Sequence, residues 1–242
     1  MLRAKRRSQL IAAASILAAL YAILGFIPVS RLIGIGGFIT LREAISPVAG
    51  MVLGPVAGGL SIVIGVLLDI ALGKPVIFFG LDFMIDMAAA VVAGLAFTRR
   101  RVLAVLFPIT VLVVFAAGPS SPVSVTVWGI PFLWMHVLSI LVLGTALFLE
   151  KRKTINLLGP AFVGSVVFAA TMCGHAVGGT LTEFFYLSSG EFFGNATSGA
   201  YWSAIFVVYP LERVFLTVVG TVVALPVLRA LQSRQNLITG SE

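Results

Sequence analysis

Charge is scarce in this 242-residue chain, and negative charge scarcer still. Charged residues make up 10% of it, with 16 lysines and arginines against 9 aspartates and glutamates. Soluble domains carry about 25% charged residues, so the composition excludes an ordinary soluble globular protein. There is one cysteine, Cys173, which excludes an intrachain disulfide. Two histidines, His136 and His175, do not by themselves make a metal site. A GxSxG elbow, an HExxH pair, a CxxC pair and a Walker lysine are all missing. The expectation is a non-enzymatic protein that needs neither cofactor nor metal.

What fills the space is apolar. Hydrophobic residues account for 60% of the chain, and its mean hydropathy is +1.12. That composition describes an integral, polytopic membrane protein, here a single membrane domain over 1–242 with a polar tail at 232–242. The formal net charge of +7 does not point to nucleic acid. The basic residues sit in clusters that flank apolar runs: Arg3, Lys5, Arg6 and Arg7; Arg99 to Arg101; Lys151 to Lys153; Arg229 and Arg234. Such clusters are expected on the cytoplasmic side of a membrane. The run from Leu10 to Val29 is long for a signal peptide and is followed by further apolar runs, so a retained first helix is expected.

Candidate spans are 8–28, 44–53, 56–72, 77–98, 102–117, 128–149, 157–179 and 201–231. The most informative of them is the run 43–71, broken by Gly54-Pro55 and Gly58-Gly59. At about 1.5 Å per residue it is long for one crossing of a ~30 Å core and short for two. Taken as one span, it would place Arg99–Arg101 and Glu150–Lys153 outside. Taken as a segment that enters and returns, it puts both clusters and both termini inside. The expected fold is therefore an all-α transmembrane bundle of about eight segments in the cell membrane. External segments are 29–42, 73–76, 118–127 and 180–200, the last with Glu183, Phe184 to Tyr186, Glu191 and Phe192-Phe193. Asn195-Ala196-Thr197 there matches a glycosylation sequon, a short pattern that chance also produces.

Several polar or small residues stand out against this background. Ala14, Ala18 and Ala22 recur every four residues and stack on one helix face. Such a face allows close approach of another helix, either a partner's or one of the chain's own. Asp82 and Asp86, also four apart, would share a face, and intramembrane acids are costly enough to suggest a cation, proton or amine site. Thr171 and His175 share a face beside Gly178-Gly179, which suits ligand contact, whereas His136 reads as an ordinary polar contact. Glu212 and Arg213 are adjacent, so each is expected to find its partner elsewhere. Pro210 just before them suits a bend or a helix start.

Three stretches together resemble the substrate-binding S component of energy-coupling-factor (ECF) transporters. They are ILAALYAILGFIPV with the alanine ladder, PVAGMVLGPVAGGLSIVIGVLLDIAL ending past Asp69, and ATMCGHAVGGT followed by YPLERVFLTVVGTVVALPVLRAL. The resemblance covers about half of the chain. It implies a six-helix core, here with an extra helical hairpin over 102–149, that captures a vitamin or related micronutrient at the outer side. It also implies docking, through Ala14, Ala18 and Ala22, on a transmembrane coupling protein driven by two ATPase subunits. The loop with Arg31, Thr40 and Arg42 would gate the cavity, and Arg42, Asp82, Asp86, Thr171, His175, Glu183 and Trp202 would contact the substrate. The alternatives are a stand-alone ion-coupled carrier using Asp82 and Asp86, and a membrane enzyme or assembly factor.

Overall fold

The computed structural model describes residues 2–98, 100–188 and 198–239, with backbone alone for 2–6 and 234–239. Arg99, Glu191, Phe192-Phe193, the Asn195–Thr197 sequon and the last residues of the tail lie outside the described residues, as do the side chains of Arg3, Lys5, Arg6 and Arg234. The helices are α1 (Leu2–Leu24), α2 (Ser46–Leu53), α3 (Pro55–Ala71), α4 (Phe83–Ala96), α5 (Arg101–Ala116), α6 (Trp134–Lys151), α7 (Pro160–Thr182), α8 (Ser198–Ile205) and α9 (Val208–Thr239). Two short antiparallel hairpins accompany them, β1 (Pro28–Arg31) with β2 (Phe38–Thr40) and β3 (Thr126–Val127) with β4 (Ile130–Pro131). The protein is thus an all-α helical bundle with two strand ribbons. Among the described residues, four helical stretches, within α1, α6, α7 with its extension, and α9, are long and apolar enough to cross a membrane.

The broken run 43–71 folds as the glycines and prolines require. Gly54 ends α2 at a φ of 82°, a conformation that L side chains avoid, and Pro55 opens α3 where its missing N–H costs nothing. The two helices fold back on each other: a Cβ on Gly58 would lie 2.7 Å from the Ala49 carbonyl oxygen and from the Gly50 Cα. Arg42, just before α2, pairs with Asp69 near the end of α3, so both arms start and finish at the same end. The segment thus folds back on itself as a helical hairpin. With eight residues, α2 rises about 12 Å, well short of a ~30 Å hydrocarbon core.

α7 is the central helix. Of its apolar stretch 61% is buried, against 22% for that of α9. Glycines bring its neighbours close, as membrane packing favours. Gly174 lies against the backbone of α4 at Ile85, and Gly179 against the Phe115 ring of α5. Phe115, Ala104 and Leu143 are fully buried, so α5 and α6 are part of the core and not an appendage. Outward faces are apolar in register: Leu211, Val214, Val218 and Val222 on α9, and Val102, Leu106, Ile109 and Val113 on α5. Faces of that kind suit lipid and not water.

The bounds of several spans differ from the sequence expectation. Helix α1 stops at Leu24, and 28–40 forms the first hairpin, whose turn carries Gly34, Gly36 and Gly37 at positive φ. The span expected from 77 begins as helix only at Phe83. That expected from 128 begins at Trp134, because Trp128-Gly129 turn the second hairpin, both at positive φ. The closing span splits into α8 and α9, and Pro210 sits in the first turn of α9.

The alanine ladder faces inward. Ala18 and Ala22 are 1% and 3% exposed, and Ala14 is half-buried. A Cβ on Gly65 of α3 would lie 3.0 Å from the Ala18 carbonyl oxygen and 2.5 Å from the Tyr21 ring. The ladder therefore packs α1 on α3, the internal alternative. Close packing of this kind predicts a contrast between two glycines. Gly50→Val would drive a Cβ to within 1.9 Å of the Ala90 carbonyl oxygen, backbone that cannot move aside, whereas Gly144 has nothing within 4 Å. Thermal unfolding in detergent should show Gly50→Val destabilised by about 1–3 kcal/mol or more. Gly144→Ala should be neutral or gain up to about 1 kcal/mol.

Candidate functional site

Arg42 organises the end of the bundle opposite Arg101 and Glu150, whose ion pair joins the start of α5 to the end of α6. Its guanidinium pairs with Asp69 through Nη1, places Nε 3.6 Å from Asp86, and lies over the Tyr21 ring at 5.2 Å. Tyr21 donates its hydroxyl to Asp86 at 2.5 Å. Lys74 lies 3.7 Å from Asp69 and donates to the Gly25 carbonyl at 2.5 Å. Burial, helped by the Arg42 charge, pushes the Lys74 ammonium below its ordinary range. A second cluster lies beside the first. Arg213 reaches Glu43 at 2.7 Å and sits 3.8 Å from Glu212, which accepts from Ser30.

Two cavities meet at this charged floor. The first, of about 110 Å3, is bounded by Arg31, Phe38, Arg42, Glu43, Asp82, Asp86, His175, Trp202, Tyr209 and Arg213, among others. The second, of about 440 Å3, lies toward α1 and the loop after α3, with Thr40, Asp69 and Lys74 in its wall. Phe38, Arg42, Ile77 and Asp82 line both. The first is aromatic on one side. The His175 ring stacks on Tyr209 at 4.9 Å and 17°, the Tyr209 hydroxyl donates to the Phe132 carbonyl at 2.8 Å, and Trp202 donates to the Ser120 carbonyl at 2.6 Å. Apolar walls around a few convergent polar groups are the usual form of a small-molecule site.

The structure brings Arg42, Asp82, Asp86, His175 and Trp202 together around this cavity. Asp82 and Asp86 nonetheless do different work. Asp82 precedes the helix and accepts the backbone N–H groups of Ile77 and Phe78 at 2.9 and 3.1 Å, which fixes the loop before α4. Thr171 lies outside: it is buried and donates to the Phe168 carbonyl of its own helix. Glu183 also lies outside the cavity wall, fully buried in the π-helical turn Glu183–Leu187 against Gly118. His136, read as an ordinary polar contact, has its Nε2 at 3.0 Å from His175 Nδ1. Tyr21, Glu43, Asp69 and Arg213 complete the floor. The sequence signals for these were the polar interruptions themselves, Glu43 and Asp69 at the bounds of one apolar run and Arg213 inside another.

Comparison with known proteins returns no matching family model, no matching curated protein and no matching solved structure.

The floor predicts strong coupling between Arg42 and Asp69. Removing one member of a buried ion pair leaves an unpaired charge, at a cost of about 3–5 kcal/mol. Asp69→Ala and Arg42→Ala should each lower thermal stability by that order. The double variant should recover part of the loss, giving a non-additive cycle. Additive losses would mean that the two side chains act independently.

Proposed function

We propose that this chain is a substrate-capture subunit for uptake of a vitamin or related micronutrient, similar to the S component of an ECF transporter. The observation that carries the reading is the cavity itself, with a charged floor at Arg42 and Arg213 and an aromatic wall at His175, Tyr209 and Trp202. The first hairpin, with Arg31 and Phe38 in the cavity wall, would serve as its gate. In this reading the chain is not an enzyme. It lies in the cell membrane with about eight segments, both termini and the loops at 99–101 and 150–153 cytoplasmic, and the hairpin and 180–200 external. The positive-inside rule supports that orientation. Docking on a transmembrane coupling protein with two ATPase subunits completes the proposal. Of the alanine ladder only the half-exposed Ala14 is available for it.

The ion-coupled carrier draws less support. Its carboxylates would have to change protonation in the cavity, yet Asp82 is committed to two backbone N–H groups and Asp86 to Tyr21 and Arg42.

Two measurements test the proposal. Calorimetry with the small molecule released from the purified protein should show His175→Ala weakening binding by about 1–3 kcal/mol, up to roughly a hundredfold in Kd. Thr171→Ala, outside the cavity, should bind normally. Unchanged affinity in His175→Ala would move the site elsewhere. In a chain with Cys173→Ser, a cysteine at position 100 should resist an impermeant thiol reagent added outside. Labelling there would overturn the proposed orientation. Uptake by the chain alone in a proton gradient would favour the carrier, and turnover without transport an enzyme.

A further inference from the structure

We infer that His136 fixes the tautomer of His175 so that its Nε2–H points a hydrogen-bond donor at the ligand, and that the cavity accordingly takes a planar molecule presenting an acceptor there. The inference rests on the reading of the cavity as a ligand site, and it begins from the 3.0 Å contact between His136 Nε2 and His175 Nδ1. A hydrogen bond between two ring nitrogens needs one proton and one lone pair. If His136 Nε2–H donates, a neutral His136 has a bare Nδ1, and His175 must carry its proton on Nε2. If instead His175 Nδ1–H donates, His136 accepts through Nε2 and must carry its proton on Nδ1. Charging either ring also puts a proton on His136 Nδ1, whichever way the bond runs. One state alone leaves that nitrogen bare.

His136 Nδ1 decides between them. The His136 ring is 2% exposed, and its Nδ1 has no hydrogen-bond partner among the described residues. Orphaned buried N–H groups are rarer in folded proteins than under-satisfied acceptors. The bare state is thus selected, and it assigns His136 Nε2–H to His175 Nδ1. His175 lines the cavity, one of its faces is covered by Tyr209, and Nδ1 is engaged. Its Nε2–H is the group left for a ligand.

A second donor points the same way. Arg213 lines the cavity, its side chain is 3% exposed, and its Nε has no hydrogen-bond partner among the described residues. Two donors in a wall that also carries Tyr201, Trp202 and Tyr209 call for a flat ligand with acceptor atoms, such as carbonyl oxygens or unprotonated ring nitrogens. The same assignment opposes a transition-metal ion at His175, since coordination through Nε2 would move its proton to Nδ1 and strand one on His136 Nδ1. His136 is a positioning residue in this account, acting through His175.

Nitrogen-15 NMR of the full chain in nanodiscs, labelled at histidine, reads this directly because only two histidines contribute. Both rings should carry their proton on Nε2, with Nδ1 bare. In His136→Gln, the His175 signals should shift toward an average of the two tautomers. Adding Co2+ or Ni2+ alone should leave the ring signals of the parent chain in place. A proton on Nδ1 of either ring, or metallation of His175, would overturn the inference even if the variant fails to fold. Nε2–H tautomers in a protein whose cavity takes up no small molecule would overturn the functional reading, and the acceptor assignment with it, while leaving the imidazole relay intact.

Discussion

Arg42 is the interaction on which the rest depends. A guanidinium buried among apolar helices is stable only if its charge and hydrogen-bond donors are met. Here Asp69 of α3 accepts from it, and Asp86 of α4 and the Tyr21 ring of α1 balance its charge, while Nε has no hydrogen-bond partner among the described residues. One side chain therefore ties three helices to the turn that precedes α2. It also forms the shared wall of both cavities. The same constraint recurs at Arg213, which Glu43 and Glu212 neutralise. Fixing charges at a cavity floor gives a ligand site its orientation before any ligand arrives, which lowers the cost of binding.

Apolar packing supplies the frame around this floor. In lipid, helices gain little from hiding hydrophobic surface and instead gain from close contact. Gly50, Gly94 and Gly174 provide that contact by letting backbone meet backbone, while the large apolar residues of α5 and α9 face outward. Charges are gathered at the two ends of the bundle. Arg101 and Glu150 pair at one end, and the Arg42 and Arg213 clusters lie at the other. Among the described residues, Glu43, Asp69, Asp86, Glu150 and Glu212 each lie beside a basic side chain.

Much of the fold was legible because helix breakers and charge clusters are local signals. Gly54-Pro55 marked the reversal between α2 and α3, and charge parity supported it. Boundaries were less legible where turn chemistry overrode hydrophobicity. The glycines at 34, 36 and 37 favoured a hairpin over continued helix, and the Asp82 carboxylate caps a loop that spacing alone assigned to a helix. That misplacement also made Asp82 and Asp86 look like a pair. The alanine ladder was visible, but not which helix it met; Gly65 settled that only in three dimensions. The site was half legible. Arg42, His175 and Trp202 meet in the cavity, while Thr171 shares a helix with His175 but faces a buried interior. The His136–His175 contact joins positions 39 residues apart, and no local pattern announces it.

The central claim is that Arg42, His175, Tyr209 and Trp202 surround a bound small molecule. An experimental structure of the protein purified in mild detergent, with its native small molecule retained, tests this most directly. The account predicts ligand density stacked beside Tyr209 and within hydrogen-bond distance of His175 Nε2. Density lodged elsewhere in the bundle, with this cavity filled by the chain's own side chains, would contradict it.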